Sequence, residues 1–180
     1  MTNISTTLLS ADQLRAWLES NESPPVVVEA SFDLSDPARG EAEWRAGHLP
    51  GSLYLHLERD LCGQTTDANG AFKGRHPLPE RAAFAATLGR CGITPASHVV
   101  ALDRQGGMYA ARLWWMLRWI GHAQAAVLDG GVAAWTAAGG ALVKADTTVA
   151  AAPAYPEGHA LADTTDVAAL SAGLGRVYLL

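Results

Sequence analysis

Four short apolar runs, each bounded by turn residues and separated from the next by a helical pattern, constrain the fold of this chain most strongly. They are "PPVVVEA" at residues 24–30, a run beginning near Ser52 in "GSLYLHL", "SHVVALD" at 97–103 and "AAVLDG" at 125–130. The helical stretches around them are "LLSADQLRAWLES", "LPERAAFAATLGRCG", "GMYAARLWWMLRWIG" and "GVAAWTAAGG", with a further helix expected to start near the proline of "DPARGEAEWRAGHLPG". A strand that is apolar at successive positions must be covered on both faces, and strands joined through helices run parallel. The expected class is therefore α/β, a parallel sheet with helices on both sides.

Local signals fix several boundaries. Ser10 followed by Gln13 has capping-box spacing ahead of Leu14, Trp17 and Leu18, so a helix is expected there. Gly92 stops the helix expected in "LPERAAFAATLGRCG". Residues 61–77, "LCGQTTDANGAFKGRHP", hold three glycines and no period, which marks a long surface excursion.

Bulk properties remove several classes of function. A formal net charge of −5 and a pI near 5.6 provide no electrostatic footprint for nucleic acid. No apolar run approaches the ~18–20 residues of a membrane span, and "MTNISTTLLS" lacks a basic start or a long apolar core, so a cytoplasmic protein is expected. Cys62 and Cys91 have no C-x-x-C spacing and read as free thiols. The histidines at 48, 56, 76, 98, 122 and 159 form no i, i+4 pair. Neither a metal nor a cofactor is expected.

The loop "DRQGGM", Asp103, Arg104, Gln105, Gly106, Gly107 and Met108, lies where ligands bind in parallel α/β sheets, beyond the carboxyl end of a strand and before the positive end of a helix. Two glycines let the backbone take positive φ and curl its amides inward, which builds a nest for an anion or a thiolate. The loop is neither a Walker loop nor G-x-G-x-x-G. Chemistry in such a nest needs a nucleophile at the first position, and a cysteine there would have its pKa lowered by the amides and the helix end. Asp103 stands there instead, and a carboxylate competes for the same amides, so it should plug the nest. A C-x5-R phosphatase loop is absent.

"WRAGHLPGSLYL" resembles the rhodanese signature, departing from it at Trp44 and Ser52. "GRHPLPERAAFAATLGRCGI", "HVVALD", "MYAARLWWMLRWIGH" and "VLDGGVAAW" resemble, in order, successive segments of the first domain of tandem-domain thiosulfate and 3-mercaptopyruvate sulfurtransferases. The resemblance implies about five mostly parallel strands with helices on both faces. It also implies a second copy of the domain, whose loop cysteine takes sulfane sulfur as a persulfide and passes it to a thiophile such as cyanide. In the first copy the loop begins with Asp, as here, so this chain alone is expected to be inactive. By motif register His76 and Glu58, the latter where the family has Asp, correspond to groups proposed to support that cysteine across the cleft. The family's linker often carries an arginine that meets anionic substrate, and "PAYPEGHALADTTD" has none.

On this reading residues 1–144 form the non-catalytic rhodanese-like domain, 145–163 a linker, and 164–180 the start of a second, truncated domain. "DTTDVAALSAGLGRVYLL" repeats the logic of the amino-terminal segment, a capped helix, a turn and an apolar strand. The tail from about Ala145 is expected to be loosely attached. Trp114, Trp115 and Trp119 cannot share one helix face, so at least one should point outward to a partner. Arg112 is expected to bind Asp103 or, with Trp115, to face the second domain. Expected partners are thus that domain and a small anionic sulfur donor. A free-standing, non-catalytic binding or regulatory module is the alternative.

Overall fold

The computed structural model describes residues 5–20, 23–144 and 147–173. In chain order the elements are β1 (Leu8–Leu9), α1 (Ala11–Ser20), β2 (Val26–Glu29), α2 (Arg39–Ala46), β3 (Leu53–Tyr54), α3 (Leu57–Asp60), α4 (Arg81–Arg90), β4 (Val99–Leu102), α5 (Met108–Trp119), β5 (Ala125–Leu128), α6 (Gly131–Ala137) and α7 (Val167–Gly173). The strands form one parallel sheet in the order β1-β5-β4-β2-β3. This is the α/β architecture expected from the alternating runs.

Period-2 alternation along the central strands explains why both faces are dry. Val28, Val99, Ala101, Ala125 and Val127 pack beneath α4 and α5, with Phe84, Leu88, Leu113, Met116 and Leu117 above them. Val27, Val100, Leu102, Ala126 and Leu128 face the other way, against Leu14 of α1 and Val132 and Trp135 of α6. The capping box of α1 forms as read. The Ser10 N–H donates to Gln13 Oε1 at 2.9 Å, and the Gln13 N–H donates to Ser10 Oγ at 3.2 Å. No helix among the described residues is long and apolar enough to cross a membrane.

Two short elements escape the sequence reading. β1 pairs Leu8 with Val127 and Leu9 with Leu128, and two residues are too few to show a period. α3 is capped by a histidine, His56, whose Nδ1 accepts from the amides of Glu58 (3.2 Å) and Arg59 (3.3 Å). Histidine is not among the residue types that announce an N-cap in sequence.

The expectation of a loosely attached tail is corrected over residues 152–161, which run as a docked strap across α4 and α5. The amides of Ala152, Tyr155, Gly158 and Leu161 donate to the carbonyls of Gly89 (2.8 Å), Ala85 (3.0 Å), Ile120 (3.0 Å) and Arg118 (2.8 Å). Three of these acceptors lie in the last turns of α4 and α5, and the carbonyls of Gly89 and Arg118 accept in addition from the amides of Gly92 (2.9 Å) and Gly121 (3.0 Å). Gly89 is required at its position, because a Cβ would collide with the carbonyl of Pro153. Arg81 of α4 also holds the strap, through Glu157 (3.2 Å) and the Gly158 carbonyl (2.8 Å), and donates to the Trp119 carbonyl of α5. Beyond the strap, Asp166 caps α7 through the Ala169 amide (2.7 Å), which is the capped helix anticipated there. The strand expected in "VYLL" falls outside the described residues.

Tyr155 is buried, and its hydroxyl lies 2.9 Å from Nδ1 of His122. The other ring nitrogen, Nε2, is 3.1 Å from the Gln124 carbonyl, which can only accept. Nε2 therefore carries the proton, and Nδ1 accepts from Tyr155 in a neutral ring. Burial pushes the pKa of His122 down, opposed by the Gln124 hydrogen bond and assisted by His98. The unfolded chain takes up this proton near the ordinary ~6.5, where the native ring still resists it. The contribution is thus complete above about pH 6.5 and is lost as the pH falls toward the depressed native value. Wild type is expected to lose more melting temperature between pH 7.5 and 5 than His122→Gln. Parallel losses in the two proteins would assign the acid sensitivity elsewhere.

Candidate functional site

The chain leaves β4 at Leu102, turns through Gly106 (φ 79°) and Gly107 (φ 96°), and enters α5 at Met108. These positive φ values curl the loop around its own first side chain. Asp103 Oδ1 accepts from the amides of Gln105 (2.9 Å) and Gly107 (2.8 Å), and Oδ2 from those of Tyr109 (2.9 Å) and Ala110 (3.0 Å). Tyr109 and Ala110 lie in the first turn of α5, so the carboxylate takes both loop amides and the helix's positive end. Asp103 is 1% exposed. The anion nest expected from the sequence is built, and the chain's own carboxylate fills it.

Arg104 points away from the nest and fixes the loop to the neighbouring strand. Its Nε donates to Glu29 Oε1 at 2.7 Å, and its Nη2 reaches Glu29 Oε2 (3.4 Å) and the Gly47 carbonyl (2.6 Å). Glu29 is fully buried at the end of β2 and also accepts from Ser31 Oγ (2.7 Å). A buried carboxylate is tolerated only when paired and hydrogen-bonded, as this one is. The sequence reading missed Glu29. Its only signal was one acidic residue closing a run of valines. Gln105 and Met108 stay exposed, and Arg104 and Gln105 border an open cleft of about 690 Å³ with Asp33, Arg39 and Leu142. The charges there are already paired, since Arg39 meets Asp33 (3.1 Å) and Glu43 (2.8 Å).

His76 and Glu58, eighteen residues apart, are brought together: Nε2 lies 3.2 Å from Oε1. Glu58 rides on α3 and His76 closes the 61–77 excursion. The His76 ring meets Phe32 edge-on at 6.0 Å, and Phe32 in turn meets Tyr109 at 5.8 Å. A buried aromatic thus links the pair to the first turn of α5.

Arg112 does not bind Asp103, which corrects one of its two expected destinations. The helix carries its side chain to the neck of the excursion, where it donates to the carbonyls of Leu61 and Pro77. None of the three tryptophans is exposed, against expectation; each is half-buried against the core. The Trp114 indole N–H is shared by the carbonyls of Thr6 (2.9 Å) and Ala125 (3.0 Å). Trp115 stacks on Trp119, which also lies under Arg81 beside the strap.

Neither thiol is poised as a nucleophile. Burial pushes the Cys62 pKa up, outweighing the pull of Arg112. Cys91 caps the end of α4 and is pushed up to about 11, chiefly by burial and then by Asp60.

Comparison with known proteins gives a consistent set of relatives. A family model described as a rhodanese-like domain matches residues 10–138. A probable 3-mercaptopyruvate sulfurtransferase of Pseudomonas aeruginosa is 39% identical over 171 residues, covering 94% of this chain and 58% of that protein. The thiosulfate/3-mercaptopyruvate sulfurtransferase 2 of Arabidopsis thaliana is 36% identical over 126 residues, covering 68% of this chain and 35% of that one. Among solved structures, a 3-mercaptopyruvate sulfurtransferase from Leishmania major superposes with a TM-score of 0.70 at 23% identity, over 89% of this chain and 41% of its own. The chain spans about half the length of the curated relatives it matches.

Proposed function

The chain belongs to the rhodanese-like domain family, and from that footing we propose that it is the non-catalytic, amino-terminal half of a tandem-domain sulfurtransferase. The complete enzyme moves sulfane sulfur from thiosulfate or 3-mercaptopyruvate to a thiophile such as cyanide, through a persulfide on a cysteine of the second domain. One observation carries this reading: the four amides that would stabilise a thiolate at the start of the loop are taken by the carboxylate of Asp103. The raised pKa of each thiol supports it, as does the fraction of its relatives' length that the chain spans.

This half contributes the Glu58–His76 pair to the cleft between the domains. A carboxylate oxygen accepts, so the ring nitrogen that faces it carries the hydrogen, and His76 donates its Nε2–H to Glu58. Nδ1 keeps its lone pair and is the nitrogen able to take a proton from a group presented by the second domain.

The purified chain is expected to show no turnover with either donor and cyanide as acceptor. Sulfur transfer that survives Cys62→Ser and Cys91→Ser together would overturn this reading, because no thiol would remain to carry the sulfur.

A further inference from the structure

The 61–77 excursion leaves and rejoins the fold at one neck, and the two residues of the pair lie on opposite sides of it. Glu58 precedes Leu61 by three residues, and His76 immediately precedes Pro77. Across the neck the Gly63 amide donates to the Pro77 carbonyl at 3.0 Å. Arg112 reaches the same point from the middle of α5. Its Nε and Nη2 donate to the Leu61 carbonyl (3.3 and 3.0 Å), and Nη2 also donates to the Pro77 carbonyl (3.2 Å) and lies 3.6 Å from Cys62 Sγ. Among the described residues the partners of this half-buried guanidinium are carbonyls and a thiol, with no carboxylate in contact.

We propose that Arg112 is a positioning residue that clamps the α3 end and the Pro77 end of the excursion together and so holds His76 against Glu58. The proposal rests on the reading of that pair as cross-domain support, and it adds the device that sets the pair's geometry. The separation of 3.2 Å joins two segments that the sheet does not pair to each other. A planar fork of N–H donors can fix both carbonyls in one geometry. A lysine supplies a charge of the same sign without the fork, and a methionine supplies neither.

The test reads the pair directly in the chain as it exists. With ¹⁵N-labelled histidine, the imidazole resonances of His76 are assigned by their loss in His76→Gln. Glu58→Gln is then introduced beside Arg112, Arg112→Lys and Arg112→Met. With Arg112 present, Glu58→Gln is expected to displace the His76 Nε2 resonance, with Lys to displace it partly, and with Met hardly at all. Backbone amide spectra of β2 and β4 verify the fold, and should Met disturb the sheet, the Lys comparison carries the result. Equal displacement in all three backgrounds overturns the proposal, as does no displacement beside Arg112. Sulfur transfer is not measured, so failure here is distinct from failure of the sulfurtransferase reading.

Discussion

Replacing Asp103 with alanine is expected to destabilise the domain by about 3–5 kcal/mol and to lower its melting temperature by on the order of 10 °C. The carboxylate closes four backbone amides at 2.8–3.0 Å in a site that is almost fully buried. Hydrogen bonds to a charged group are worth ~1.5–3 kcal/mol each, and buried donors left open cost a similar amount. The sum is reduced because Gln105 and Gly106 are exposed and water can reach part of the vacated nest. Asp103→Cys separates the nest from mere packing. In a background without Cys62 and Cys91, amides and helix end together should lower the new thiol's pKa by about one to two units from ~8.5. Arg112 lends no help, being spent on the excursion. A melting temperature unchanged in Asp103→Ala, or an alkylation midpoint at or above ~8.5 in Asp103→Cys, would mean that the loop is not an anion nest.

The nest was legible because its parts are contiguous. A strand ending in Asp, two glycines and an amphipathic helix lie within one stretch, and each carries its conformational preference locally. The sheet was legible for the same reason, since Val26, Val27 and Val28, or Val99 and Val100, announce burial on both faces without reference to anything distant. What stayed hidden depends on contacts between remote residues. Arg104 and Glu29 are seventy-five residues apart, and nothing near either one names the other. Arg112 stands close enough to Asp103 in sequence to suggest an ion pair, yet the helix turns it toward Leu61 and Pro77. His76 and Glu58 were found only through motif register, because neither sits in a pattern of its own. The strap was the least legible of all. Its anchors are main-chain amides in a stretch of Ala, Pro and Gly, which carries no apolar period and reads as solvent-exposed linker.

That strap sets the second large effect. A chain ending at Lys144 is expected to lose on the order of 5 kcal/mol, enough to bring a typical domain of ~5–15 kcal/mol to the edge of unfolding. Tyr155 alone accounts for much of this, since removing a buried aromatic side chain typically costs ~3–5 kcal/mol. It packs within the same cluster as Phe84, Leu88, Leu117 and Ile120, and its loss would also leave His122 Nδ1 without a donor. The four strap amides add to the cost, because their hydrogen bonds to the carbonyls of Gly89, Ala85, Ile120 and Arg118 would be lost. A chain ending at Ala162 keeps every one of these contacts and gives up α7, which buries no side chain. The urea midpoint should therefore drop sharply for the shorter chain and stay near that of wild type for the longer one. Tyr155→Ala in the full chain should fall between them. Coincident midpoints for chains ending at 144 and 162 would show that the core is complete without the strap. The expected order instead makes the strap part of the folding unit, so that whatever follows residue 162 starts from a fixed point beside α5 rather than from a free tether.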